Sequence, residues 1–335
     1  MFFFILLLLN IFIFFKINYL SRLFNIYDHP NEIRKLQKSP VPVSGGLILL
    51  INILVIQTYI YIFDQNNTLT YLNDYEFFLN LLFILLYWLI GVLDDKIDIK
   101  APIKIFLMLS VISMYVLSTE YGLVNTIYFQ SGYNLDLDLI NFINFNYIFT
   151  IFCIFTLTLT LNMFDGIDGQ SIILYIFILL YLYIFHSITF CLYLILPLIF
   201  MLILNLREKL YLGDNGVMLF STIVSILIIK YNFLNSNTIF VEEILFILVL
   251  PALDLIRLVI YRIYIKKNPL AADSNHLHHI LLNFITKKNY IIYFTIFYFV
   301  LIFICFTGLK FLYLLSVILA IYVSLIYKCK NNSTN

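Results

Sequence analysis

Long apolar stretches broken by short polar ones dominate the chain. Neither an alternating nor a strictly amphipathic period is needed to see them. Runs of about 16–24 residues recur from end to end, each bounded by polar residues, Gly or Pro. They predict eleven spans near 2–20, 44–63, 77–93, 102–119, 146–163, 171–186, 188–206, 216–231, 239–262, 290–308 and 310–327. Two pairs nearly fuse, at His186-Ser187 and at Gly308-Leu309, where tight hairpins are expected. The first run has no basic stretch before it, and its cations Lys16 and Arg22 follow the apolar part. A retained helix therefore fits better than a cleaved signal. The expected fold is all-α, a polytopic membrane bundle of about eleven helices. Residues 1–327 form one integral-membrane domain, and 328–335 form a short cytoplasmic tail.

Composition supports lipid as the solvent. Of 335 residues, 63% are hydrophobic and 12% charged, and the mean hydropathy is +0.99. Typical soluble domains are about 45–50% apolar and about 25% charged, so a soluble globule is excluded. Net charge is +1, which gives no electrostatic footprint for nucleic acid. The four cysteines make no CxxC, and three lie in apolar runs. They suggest neither a disulfide framework nor a thiolate metal site.

Charge placement gives the orientation. With the N-terminus outside and the C-terminus cytoplasmic, only Lys230 and Lys310 of the 20 Lys and Arg fall on the outer side. That follows the inward bias of basic residues. Five polar clusters then share the inner face: DHPNEIRK (28–35), LDDKIDIK (93–100), NMFDGIDG (162–169), LGDNG (212–216) and DSNHLHH (273–279). Their concentration on one side points to one cytoplasmic site. A channel or transporter would more often place ionisable groups mid-span.

Each cluster has a plain reading and a chemical one. Asp94-Asp95 could be a solvated helix end, or adjacent carboxylates that call for a cation. Lys104 lies inside the next span, where it either snorkels or meets an anion. Asn162, Asp165 and Asp168 have i, i+3, i+6 spacing, so a continuing helix would align them. Gly166 and Gly169 favour a tight turn and a close backbone approach. Asp214 could simply cap the eighth span, or could join the other acids as a Mg²⁺ ligand. His276, His278 and His279 lack the i, i+4 spacing of a helical zinc pair, and no Cys is near. Phosphate binding or proton transfer suits them equally. Asp254, Arg257 and Arg262 place acid and base at helical spacing on the ninth span.

Taken in order, these clusters resemble the polyprenyl-phosphate N-acetylhexosamine-1-phosphate transferases, glycosyltransferase family 4. The stretches that carry the likeness are DHPNEIRKLQKSPVPVSGG, GVLDDKIDIKAPIK, NMFDGIDGQS, LGDNG and LPALDLIRLVIYR…NPLAADSNHLHHILL, from about residue 28 to 282. The HLHH form is similar to the GlcNAc-transferring branch. The resemblance implies transfer of N-acetylhexosamine 1-phosphate, by default GlcNAc-1-phosphate, from a UDP-sugar to undecaprenyl or another polyprenyl phosphate. The products are polyprenyl-diphospho-sugar and UMP, the first lipid-linked step of an envelope glycan such as O-antigen or teichoic acid. It further implies a bacterial cytoplasmic membrane, a homodimer, and Mg²⁺ with Mn²⁺ as a substitute.

By the same resemblance, Asn162 and Asp214 hold the metal. Asp94 deprotonates or orients the polyprenyl phosphate beside Asp95, and Lys104 binds a diphosphate oxygen. Asp165 and Asp168 shape the nucleotide and metal site with Asn215, and His276, His278 and His279 contact phosphate or sugar. Departures occur at Gln37, Val43, Gln170 and Ser274, where the family pattern favours His, Arg, Leu and a basic residue. They bear on sugar choice and on how diphosphate charge is met. Two rivals stand. An intramembrane aromatic prenyltransferase would use DDKID as a DDxxD but leaves GDNG and HLHH idle. A transporter or flippase would need mid-span charge, for which Glu242, Glu243, Asp254 and Arg257 are the candidates. Glycines and other small residues are scarce, so tight helix packing is not expected.

Overall fold

A computed structural model of the chain describes residues 1–24, 26–28, 40–63, 73–137, 144–234, 238–268 and 275–332. The inner cluster at 28–35 therefore lies outside the described residues apart from Asp28, as do Gln37, Asp273 and Ser274.

Ten of the eleven expected spans coincide with one helix each, and the ninth coincides with two. The helices are α1 (Phe2–Phe24), α2 (Gly45–Phe63), α3 (Asp74–Ile97), α4 (Ala101–Ser118), α5 (Phe145–Phe164), α6 (Gln170–His186), α7 (Thr189–Asn205), α8 (Gly213–Leu234), α9 (Val241–Ile247), α10 (Val249–Tyr264), α11 (Leu277–Leu282), α12 (Lys287–Cys305) and α13 (Phe311–Asn332). Among the described residues, eight helices are long and apolar enough to cross a membrane. The count is nine when the bent pair α9–α10 is taken as one span, and α6 and α7 are shorter apolar helices. In lipid a helix satisfies its own backbone, which is why apolar sequence of almost any kind adopts it. The chain is thus a polytopic helical membrane protein. Two short hairpins add to it: β1 (Tyr27–Asp28) with β2 (Val41–Pro42), and β3 (Thr126–Tyr128) with β4 (Asn134–Asp136).

α8 is the centre of the bundle, with 83% of its apolar window buried, against 22% for α12 and 17% for α13. It packs on α2, α3 and α5. The outer helices instead expose large apolar side chains such as Phe12, Phe106, Phe299 and Phe303, an apolar surface that suits lipid.

Two expectations are corrected, and one charge takes a place the sequence did not show. The ninth span is not one helix: α9 and α10 meet at Leu248 with an 83° bend. Pro251 explains the break, because its ring clashes with the carbonyl four residues back, at Ile247, where α9 ends. Tight packing does occur, at one crossing. A Cβ on Gly91 of α3 would collide with the Asn215 backbone and the Asp214 carbonyl of α8, and one on Gly46 of α2 with Asn215 and Gly216. Lys230, counted on the outer side, is drawn inside the bundle. It is fully buried, and its Nζ lies 2.8 Å from Glu76 Oε2, which is equally buried.

Polar side chains also join helices inside the bundle. Asn10 of α1 and Asn52 of α2 exchange amide hydrogen bonds at 2.7 and 3.2 Å. Ser221 of α8 meets Thr158 of α5 at 3.0 Å. Such pairs hold apolar helices that lipid alone does not drive together.

Candidate active site

The site forms where α3, α4, α5 and α8 reach the same end of the bundle. α3 stops at Asp98, which takes a left-handed conformation (φ 49°) and returns its N–H to the Asp94 carbonyl. The chain reverses, α4 starts with Pro102 in its first turn, and Lys104 comes back over α3. Its Nζ lies 2.7 Å from Asp94 Oδ2 and also contacts Asp214 Oδ2. An ammonium at a helix N-terminus opposes the helix dipole, so these two carboxylates are what hold it there. Asp94 Oδ1 also accepts the Ile99 N–H at 3.0 Å.

Asp95 does different work from its neighbour. Its Oδ1 accepts the Asp214 N–H at 2.9 Å and its Oδ2 accepts the Asn215 N–H at 3.0 Å. It thereby caps α8 from another helix, satisfying N–H groups that the helix cannot. The cap is Asp95, not Asp214, which leaves the Asp214 carboxylate free for Lys104. Gly213 makes the entry possible: its φ is +73°, and a Cβ there would strike Val43 and the Asp95 carboxylate. Asn215, expected at the substrate, is buried and braces the turn instead. Its amide donates to the Val43 carbonyl at 3.0 Å and to Asp95 Oδ2.

α5 does not continue through NMFDGIDG. It ends at Phe164, so Asn162 stays on the helix while Asp165 and Asp168 lie in the following turn. The single-face alignment therefore fails, yet Asn162 and Asp165 both remain near Asp214. Asn162 is close enough for its amide to act on that carboxylate. Its Nδ2 makes no regular hydrogen bond and is buried without a partner among the described residues. Asp165 sits in a deep recess but keeps open surface. The crowded surroundings push its carboxyl up to about 7, with Asp214, Asp168 and Asp95 adding to the rise and the Ser171 hydroxyl opposing it. Asp168 turns away to an ion pair with Lys287 at the start of α12. Burial raises its pKa and Lys287 counters the effect.

The turn is braced by groups that sequence reasoning did not single out. Asn205 accepts the Gly169 N–H and donates to the Leu210 carbonyl at 2.8 Å. Gln170, a departure from the family pattern, donates to the Phe164 carbonyl at 2.9 Å.

The histidines form one stack beside this turn. The rings of His276 and His278 are 5.3 Å apart, and those of His278 and His279 are 4.3 Å apart. His276 Nδ1 is 2.9 Å from Asp254 Oδ2. The other oxygen of Asp254 accepts from the Leu277 N–H at 3.0 Å, Arg257 Nη2 at 2.7 Å and the Tyr322 hydroxyl at 3.1 Å. A carboxylate on Nδ1 fixes the tautomer and leaves Nε2 as the working nitrogen. So α10 and α13 position His276. Asp254 and Arg257 serve as this anchor rather than as mid-span transport charges.

His278 is buried, and both ring nitrogens lack partners among the described residues. Burial, then His279 and His276, push its pKa down to about 3, so the ring is neutral. It packs directly on Gly166, where a Cβ would overlap Nε2. Gly166→Ala should therefore cost about 1–3 kcal/mol by overpacking. The check is thermal unfolding in detergent: His278→Ala added to Gly166→Ala should recover most of the lost stability, and no recovery would show that the strain lies elsewhere.

The cluster thus gathers Asp94, Asp95, Asp165 and Asp214 around one ammonium, Lys104. The surplus of negative charge suits a cation. Asp214 and the amide oxygen of Asn162 offer hard oxygen donors to it. No three His, Cys, Asp or Glu converge at metal-ligand spacing among the described residues. A metal at Asp214 and Asn162 would therefore take most of its oxygens from substrate and water.

Comparisons with known proteins agree with the motif reading. The family model for glycosyl transferase family 4 matches residues 77–232. This stretch contains Asp94, Lys104, Asn162, Asp165 and Asp214 but not the histidine stack. Curated relatives named undecaprenyl-phosphate alpha-N-acetylglucosaminyl 1-phosphate transferase, from Yersinia pestis and Escherichia coli (strain K12), are each 24% identical over 276 and 270 residues. These alignments cover 77% of this chain and 69% of each relative.

Proposed function

We propose that the protein transfers N-acetylhexosamine 1-phosphate, GlcNAc-1-phosphate by default, from a UDP-sugar to a polyprenyl phosphate such as undecaprenyl phosphate. The observation that carries this reading is the convergence of Asp94, Lys104 and Asp214 from three helices at one end of the bundle. The likeness to glycosyl transferase family 4 over the same residues supports it.

The chemistry joins two anions at a membrane surface. An oxygen of the polyprenyl phosphate attacks the sugar-bearing phosphorus of the UDP-sugar. The phosphorus–oxygen bond to UMP breaks, and UMP leaves. No bond to the anomeric carbon changes. Asp94 receives or orients the acceptor phosphate beside Lys104. Lys104 can swing from the carboxylates onto the diphosphate as a point charge. Asp95 fixes the start of α8 and so the direction of Asp214. His276, with Nδ1 held by Asp254, presents Nε2 to phosphate or sugar, while the neutral His278 packs the turn that carries Asp165. Four carboxylates against one ammonium cannot receive two phosphates unaided. Mg²⁺, held by Asp214 and Asn162, supplies the missing positive charge when bound. In this reading all eleven apolar spans, α9 and α10 together counting as one, cross or enter a bacterial cytoplasmic membrane, the N-terminus is outside, and the site faces the cytosol.

The test is transfer in isolated membranes with radiolabelled UDP-GlcNAc, undecaprenyl phosphate and Mg²⁺. Butanol-extractable label and UMP should appear together. EDTA should abolish both, and Asp214→Ala should reduce both by at least about 10²-fold. UMP from another UDP-N-acetylhexosamine alone would move the donor and keep the reaction. Failure of folded protein with every such donor would overturn the reading.

A further inference from the structure

The end of the bundle opposite Asp94 holds buried ionisable groups that the transfer reaction does not use. α6 ends there at His186, and α9 begins there with Glu242 and Glu243. His186 Nε2 lies 2.8 Å from Glu243 Oε2, and the Tyr181 hydroxyl donates to the same oxygen at 2.8 Å. Glu242 accepts the Gln130 N–H at 3.2–3.3 Å. Both carboxylates are more than nine-tenths buried. Beside Glu243 lies a cavity of about 370 Å³, walled by Tyr181, Phe185, Phe240 and Phe311 together with His186. That volume is in the range of small-molecule sites.

Charge, hydrogen bonding and ring faces select the same ligand. Two adjacent carboxylates are buried here, and His186 is the only basic side chain paired with either among the described residues. Glu243 lines the cavity and Glu242 is buried next to it in the chain, which favours a cation over an anion there. A carboxylate can only accept, so Nε2 of His186 carries a proton; on the neutral ring Nδ1 then presents a lone pair. Nδ1 is buried with no partner among the described residues, an acceptor left unfilled at a free-energy cost. Glu243 Oε1 is also open to a donor. Aromatic faces attract cations. A primary ammonium brings one positive charge and three N–H donors, which answers each feature. A quaternary ammonium has no N–H for Nδ1.

We propose that this cavity binds a primary ammonium group, the chemistry shared by amine-bearing phospholipid headgroups and small free amines. The site is separate from the transfer site, and its test does not depend on transfer activity.

The experiment is equilibrium binding to full-length protein purified free of lipid in maltoside. Radiolabelled ethanolamine and short-chain phosphatidylethanolamine are the probes. Choline and short-chain phosphatidylglycerol at matched ionic strength are the controls. Saturable binding of an amine probe is expected, at least tenfold tighter than either control and at least tenfold weaker in Glu243→Gln. Binding of phosphatidylethanolamine alone assigns the ligand to the membrane; binding of both probes assigns the site to the amine itself. Phe240→Leu keeps every polar group and should weaken binding at least threefold, which preserves the test if Glu243→Gln does not fold. Absence of saturable binding by both amine probes, or equal binding of choline and ethanolamine, overturns the proposal.

Discussion

Replacing Lys104 with methionine should lower sugar-1-phosphate transfer by about 10²–10³-fold, the loss expected when one preorganised charge leaves a site. The same change should tighten Mg²⁺ binding. Lys104 occupies an oxygen of Asp214 and neutralises Asp94, so its ammonium competes with a divalent cation for the same charge. Without it, two carboxylates face one another, and the cation that relieves them is the metal. The Mg²⁺ concentration giving half-maximal thermal protection should fall as transfer falls. Lys104→Arg should not restore activity, because a planar fork does not replace a compact ammonium between two helices. Transfer within about threefold of wild type, measured under the conditions that set the range above, would remove Lys104 from the site. Unchanged Mg²⁺ dependence would remove Asp214 from the metal.

The largest stability effect should come from the other end of α3. Glu76 and Lys230 are both fully buried, and Glu76 also accepts from the Thr119 hydroxyl at 3.0 Å and the Glu120 N–H at 2.8 Å. Lys230→Met leaves a buried carboxylate without its counter-charge, which costs about 3–5 kcal/mol. Glu76→Gln together with Lys230→Met removes both charges and should recover at least half of that loss. Thermal unfolding in detergent of the two single variants and the double variant measures this. A double variant that loses the sum of the two single losses would show that the pair contributes no coupling.

The helices and the acids were legible in the sequence for one reason: polar clusters are conspicuous in an apolar chain. The apolar runs located every long helix but merged α9 with α10 and missed the short α11, and DDKID, NMFDGID and LGDNG located the acids. What sequence did not reveal is which partner each group takes, because partners lie far apart along the chain. Asp94 and Asp95 read as equivalent. Only the arrival of Gly213 and Asn215 under Gly91 makes one a cap and leaves the other with Lys104. Lys230 and Glu76 each read as a residue near a helix end, and their pairing spans 154 positions. Tyr322, one of 26 tyrosines, carried no signal until it met Asp254. The break at Leu248 was signalled by Pro251, which the continuous apolar run obscured.

One pair of helices has a mechanical consequence. α3 and α8 are fastened at both ends, by Asp95 on the first N–H groups of α8 and by Glu76 on Lys230. At Gly91, between those fastenings, their backbones touch. The two fastenings lie about 28 Å apart along α3. Rods bolted at two such points can neither slip by a turn nor rock about a midpoint. α3 and α8 therefore act as a stator that keeps Asp94, Asp95 and Asp214 in register. Any movement at the site falls to the elements carrying the histidines, which meet the stator's neighbours through His278 on Gly166 and Lys287 on Asp168. A carrier that rocks one half against the other would need to shear this joint on every cycle.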